Sequence, residues 1–259
     1  MIPKKSFGQN FLTSPPAREA IVRAGHLTEN DTVLEIGPGK GFLTEGLLAT
    51  GASVIAVEKD RELITFLSEK FAKEKEAGKF TLIEGDALTY EPPYTSYKLI
   101  ANIPYYITGA ILERFLSHER KPNTMVVLVQ REVAERVVAR EGKESILSIA
   151  VKVYGTPKIV HKVSAGSFFP KPKVDSAVLS IENISGSNFR DESHELVFFT
   201  LLKLGFSHKR KMLLSNVKSH FGEKIIALFA KQKLDPKVRA EDVTLTTWLT
   251  LSLELSTSL

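Results

Sequence analysis

Apolar residues recur along this chain in two rhythms. Short apolar runs at 32–36, 53–57, 80–84, 97–101 and 125–129 read as buried strands. Between them, apolar positions fall three or four apart. Ile21 and Val22, with Leu27, mark a helix opened by Pro15-Pro16. Leu63, Ile64, Leu67 and Phe71 mark another over 60–73. Further helices are predicted over 42–50, 107–116, 131–139 and 146–153, and two more strands near 157–163 and 176–182. Strands alternating with helices predict an α/β fold with a parallel sheet covered on both faces. After Gly186-Ser187-Asn188, which reads as a linker, strand signals stop. Helical patterns follow at 194–204, 209–220, 223–232 and 246–256. The predicted organisation is an α/β domain over 1–185 and a small all-helical domain over 186–259.

Candidate chemistry collects where the strands end. In open α/β sheets, ligands sit beyond the carboxyl ends of the strands. The run ending at Ala101 is followed by Asn102-Ile103-Pro104-Tyr105. Pro104 stops the strand, because it cannot donate to a neighbour. An amide beside an aromatic ring suits a planar base: the ring stacks and the amide oxygen accepts from an exocyclic amine. A structural turn would use the same four residues.

The loop Gly37-Pro38-Gly39-Lys40-Gly41 lies between a strand and a helix. Glycines there let a ligand approach the backbone. The spacing is neither the Gly-x-Gly-x-x-Gly of dinucleotide sites nor a P-loop ending in Gly-Lys-Ser/Thr. Glu35 stands two residues ahead of the first glycine. A carboxylate there attracts an ammonium and repels phosphates, which favours a cofactor with an amino-acid tail. Glu58 ends the next strand, 21 residues after Gly37, where an acid commonly holds ribose hydroxyls. Asp86, followed by Ala87, ends the third strand and could accept from an adenine amine or cap a turn. These positions describe a nucleoside pocket with a second base at Asn102.

Composition narrows the choice. The chain has 259 residues, 43% of them hydrophobic, and no cysteine, so neither a disulfide nor a thiolate metal site exists. The six histidines show no ligand spacing, and no metal is expected. No stretch reaches the roughly 18 apolar residues of a membrane span, and the first residues have no apolar signal core. A cytoplasmic monomer is expected. Net charge is +5, and between Lys203 and Arg239 ten basic residues face two acids, a local charge of +8. Such a stripe favours a polyanionic partner, and a merely solvated face would look alike.

Taken together, Glu35 to Gly41, Glu58, Asp86-Ala87 and Asn102-Ile103-Pro104-Tyr105 resemble the motifs of Rossmann-like S-adenosylmethionine-dependent methyltransferases. The Asn-Ile-Pro-Tyr segment resembles their adenine-N6 methylating group. Phe7-Gly8-Gln9-Asn10-Phe11-Leu12, Gln130 to Arg136 and Phe168 to Val178 are similar to motifs of the KsgA family of ribosomal RNA adenine dimethyltransferases. So are Lys209-Arg210-Lys211 and Arg239-Ala240-Glu241 near the C-terminus.

The resemblance implies dimethylation at N6 of two adjacent adenines in a hairpin loop near the 3′ end of small-subunit (16S) ribosomal RNA, in an immature particle. It implies that Asn10 and Leu12 close over the cofactor, that Gly37 lies under its methionine part, and that Glu35, Gly39 and Asn102 also bind it. Glu58 would hold the ribose, and Asp86 with Ala87 the adenine. Asn102 and Ile103 would take the target amine, Tyr105 and Phe168 would stack on its base, and Lys209, Arg210 and Lys211 would bind RNA. The chain departs from the family in having Glu144-Ser145 where Tyr-Gly is common, and Ala165-Gly166-Ser167 where Pro-Ser-Ala is common. An Erm-type enzyme acting on large-subunit RNA shares the fold and the Asn-x-Pro-Tyr motif. A non-catalytic RNA-binding assembly factor would share the fold and show a degraded pocket. A dehydrogenase fits least, for want of the right glycine spacing.

Overall fold

The computed structural model describes residues 9–92, 96–139 and 143–257. Phe7 and Gly8 of the opening motif lie outside them. The first half of the chain runs β1 (Phe11–Leu12), α1 (Pro15–Ala24), β2 (Thr32–Ile36), α2 (Phe42–Leu48), β3 (Ser53–Glu58), α3 (Arg61–Lys70), α4 (Ala72–Glu76), β4 (Phe80–Glu84), β5 (Lys98–Asn102) and α5 (Thr108–Ser117). There follow β6 (Thr124–Gln130), α6 (Arg131–Val137), α7 (Ile146–Lys152), β7 (Thr156–Val163), β8 (Phe168–Phe169) and β9 (Ser176–Glu182). The remaining helices are α8 (Glu192–Gly205), α9 (Leu213–Lys231) and α10 (Leu245–Ser256).

Seven strands form one sheet in the order β4-β3-β2-β5-β6-β9-β7, flanked by helices. From β4 to β6 the pairs are parallel, as the strand–helix alternation predicts. The far edge is not: β9 runs antiparallel to both β6 and β7. A parallel return needs a crossover, usually a helix. Only a one-turn 3-10 helix (Ala165–Ser167) and β8 lie between β7 and β9. The core fills the space between sheet and helices around Ile21, Leu47, Leu67, Ile100 and Val126. Burial of this kind stabilises by about 25 cal/mol per Å² of apolar surface removed from water.

Local chemistry sets the element ends. Ser14 caps α1 by accepting from the Ala17 amide at 3.4 Å, and prolines fill the first turn, where amides lack partners. The helix predicted over 60–73 breaks at Phe71, whose ring is buried against Phe80 with centroids 4.9 Å apart. Conversely, the patterns at 209–220 and 223–232 merge into α9, with Gly222 left at φ 61° and ψ −144° as a kink.

The chain divides into two compact units, Met1–Glu135 with Gly155–Ile184, and Arg136–Tyr154 with Ser185–Leu259. One joint lies between Ile184 and Ser185, one residue before the boundary expected at 185/186, while 136–154 group with the C-terminal helices. Hydrogen bonds explain that grouping: the Ser185 amide donates to the Tyr154 carbonyl at 2.9 Å, and the Asn188 side chain to Val153 at 2.6 Å. Gly186-Ser187-Asn188 is therefore a pinned turn, not a free linker.

Candidate active site

The ends of β4, β3, β2 and β5 stand side by side at one edge of a cavity of about 670 Å³. At strand spacing, four neighbours cover about 14 Å. Glu35, Gly37, Gly39, Glu58, Asp86, Ala87, Asn102, Ile103 and Tyr105 all line it. Asn10 and Leu12 line it as well, carried there by β1, which pairs antiparallel with β8. The Thr13 amide and hydroxyl donate to the Ser167 carbonyl at 2.9 and 3.0 Å, so the 165–167 departure forms the turn that anchors this N-terminal arm.

Each glycine of the loop has its own reason. Gly37, Gly39 and Gly41 have φ of 63°, 59° and 76°, the region that favours glycine. A Cβ on Gly37 would meet nothing within 4 Å, so this is the place where a ligand can reach the backbone. A Cβ on Gly41 would come within 2.5 Å of the Phe71 ring, so Gly41 serves packing.

The acids differ in state. Glu35 is 1% exposed and accepts from the Thr44 hydroxyl at 2.7 Å. Burial pushes its carboxyl up to about 8. Glu58 accepts from the amides of Lys59 and Asp60 at 2.8 and 2.9 Å with one oxygen, and from Gly39 at 3.3 Å with the other. Burial raises its pKa and these amides oppose the rise. It therefore joins the end of β3 to the glycine loop. Asp86 accepts from the Leu88 amide at 2.9 Å and pairs with Lys59 at 2.9 Å, and both hold its carboxyl below the usual range.

At the end of β5 the Asn102 amide nitrogen donates to the Asn10 carbonyl at 3.1 Å. Tyr105 is half-buried, and its hydroxyl sits 2.7 Å from that of Ser176. One expected residue does not reach the cavity. Phe168 is 4% exposed and packs in the core, whereas Phe169 is 60% exposed and lines the cavity. Successive strand residues face opposite ways, so two adjacent phenylalanines cannot both face inward. The sequence held the pair but not which member faced the cavity.

Lys209, Arg210 and Lys211 are exposed, in the second unit. They occupy the turn between α8 and α9 and not the start of a helix, since Met212 is the N-cap of α9.

The ribosomal RNA adenine dimethylase model matches residues 3–257. This chain belongs to the ribosomal RNA adenine dimethylase family. The dimethylase is 41% identical to the ribosomal RNA small subunit methyltransferase A of Dehalococcoides mccartyi (strain CBDB1), over 97% of this chain and 88% of that protein. Its identity to the protein of the same name from Nostoc punctiforme is 39%, over 98% of this chain and 95% of that one. Among solved structures, a dimethyladenosine transferase from Plasmodium falciparum superposes with a TM-score of 0.79 at 28% identity, covering 94% of this chain and 96% of that one. The 23S rRNA methyltransferase ErmE superposes with a TM-score of 0.77 at 26% identity, covering 95% and 99%. The dimethylase is a methyltransferase, and its cofactor is S-adenosylmethionine. The cavity fits that molecule: acceptors suited to ribose and adenine stand at the end of β3 and just beyond β4, and a buried carboxyl beside open space at Gly37 suits an amino-acid tail.

Proposed function

We propose that the dimethylase dimethylates N6 of two adjacent adenines in a hairpin loop near the 3′ end of small-subunit ribosomal RNA. It does so as a monomer in the cytoplasm, on an immature particle. The observation that carries this reading is the bond from Asn102 to Asn10 at the mouth of the cavity. A carbonyl only accepts, so the atom facing Asn10 is the amide nitrogen, and the Asn102 oxygen is left to accept from a target amine.

Adenine N6 is a poor nucleophile because its lone pair is delocalised into the ring. S-adenosylmethionine, when bound, supplies an electrophilic methyl group. Asn102 and the Ile103 carbonyl accept the two N6 hydrogens, which turns the lone pair toward that methyl and stabilises charge growing on nitrogen. Neither group is a base, so both act by orientation and dipole. The Tyr105 ring, held by its hydroxyl on Ser176, stacks on the flipped base and favours the same charge. Glu58 would hold the ribose hydroxyls, Asp86 and Ala87 the adenine, and Glu35, Gly37 and Gly39 the methionine end. Once the methylated nitrogen has given up one proton to solvent, the monomethylated N6 keeps one hydrogen and its lone pair, so one site can act twice. Lys209, Arg210 and Lys211 bind the RNA backbone, which is read by shape. Relatives named for the small subunit favour this substrate over the large-subunit one.

Labelled methyl donor and immature small subunits test the proposal. Mass spectrometry should find dimethyladenine at two neighbouring positions. Only monomethyladenine, or label confined to large-subunit RNA, would overturn it.

A further inference from the structure

Two large rings have no task in the chemistry above. Tyr106 is 68% exposed and Phe169 60% exposed, yet both line the cavity that holds Asn102 and Tyr105. Single exposed apolar residues are ordinary on protein surfaces. Two at the mouth of one cavity are a different observation, because each has a neighbour that is fixed. Tyr105 is tied to Ser176, and Tyr106 is the next residue of the same 3-10 helix (Tyr105–Ile107). Phe168 fills the core, which turns Phe169 outward, and β1 holds β8 in place through the pairing of Phe11 with Phe169. The exposed rings are thus presented by anchored backbone.

Lysines stand near both rings, one of them, Lys59, paired with Asp86 at 2.9 Å. Lys171 and Lys173 are exposed just beyond Phe169. The Lys59 ammonium lies within electrostatic reach of the Tyr106 hydroxyl. A flat apolar face beside positive charge suits an unpaired nucleotide, with its ring for stacking and its phosphate for the cations. Flipping one base from a loop also uncovers the face of its neighbour.

We propose that Tyr106 and Phe169 form a second base subsite at the rim, which stacks on the unpaired nucleotide next to the target adenine. This rests on the RNA-substrate reading above and extends it from one base to two. The rim then selects loops in which the neighbour is also unstacked, and it contributes to binding of RNA more than to transfer.

The test compares wild type with Tyr106→Ala, Tyr106→Phe and Phe169→Ala in steady-state methylation of immature small subunits, and titrates the methyl donor into each. Each alanine variant should raise KM for the particle about 10-fold, as loss of one base–aromatic stack does, with kcat falling less than KM rises. Tyr106→Phe should restore the wild-type KM, and donor affinity should stay in the wild-type range. Independently of any variant, 2-aminopurine placed beside the target in the particle's RNA should be quenched when wild-type protein binds. Wild-type KM in both alanine variants, a Tyr106→Phe variant as impaired as Tyr106→Ala, or unquenched 2-aminopurine would each overturn the subsite alone. A wild-type protein that leaves small-subunit RNA unmodified overturns the functional reading and the subsite with it.

Discussion

The side-chain nitrogen of Asn102 donates to the backbone carbonyl of Asn10, 3.1 Å away and 92 residues earlier in the chain. This bond fixes which way the Asn102 amide points. It also ties the N-terminal arm to the strand end where transfer would occur. Asn102→Ala should lower turnover about 100-fold or more, as loss of a positioned dipole does, with little change in RNA affinity. Single-turnover methylation beside a binding titration checks this. Near-normal turnover in the variant would remove Asn102 from the mechanism.

The loop glycines separate binding from stability. Alanine at either Gly37 or Gly41 meets a left-handed backbone and costs about 1–2 kcal/mol. Gly41→Ala also drives a Cβ to within 2.5 Å of the Phe71 ring, whereas Gly37→Ala meets only open space. Gly41→Ala should therefore lower the melting temperature more, and Gly37→Ala should weaken methyl-donor binding more. Calorimetry and isothermal titration on both variants decide it; equal effects on both measures would contradict the division.

Glu35 makes donor binding pH-dependent. Its carboxyl, raised to about 8 by burial, is largely protonated at pH 7 in the free protein. An ammonium placed beside it favours the carboxylate, so binding should release a proton. Affinity should rise with pH up to about 8. Titration calorimetry in buffers of different ionisation enthalpy measures the proton count, and Glu35→Gln should abolish the release. The stability of the free protein runs the other way. The folded state keeps this proton to about pH 8, while the ordinary value is 4.5, so this group's contribution to stability falls as pH rises between them. Thermal melts across that range should show the slope in wild type and a smaller one in Glu35→Gln.

Lys209, Arg210 and Lys211 sit exposed in a turn, where side chains are free to reach phosphates. Triple replacement by alanine should weaken binding to all RNA sequences alike. It should also flatten the dependence of log K on log salt by about 1 for each phosphate that is no longer neutralised. An unchanged slope would make the cluster a solvated face.

Most of the strands and helices, and the acids and glycines at the strand ends, were legible in the sequence. They depend on local rules: apolar rhythm, a proline that ends a strand, an acid after a glycine-rich turn. Tertiary structure decided whatever depends on residues far apart. It reversed the last sheet pairings, because β9 inserts between β6 and β7 without a crossover helix. It put residues 136–154 with the C-terminal helices through bonds such as that from Asn188 to Val153. Within the site it turned Phe169 rather than Phe168 to the cavity, since only the pairing of β1 with β8 sets which face of that strand is buried. It joined Asn102 to Asn10 and Glu58 to Gly39, pairings that no spacing along the chain encodes. Residue types and their order determine what chemistry is available. Which atom of each residue faces the ligand is decided only when distant segments fold against one another and compete for the same hydrogen bonds and the same buried space.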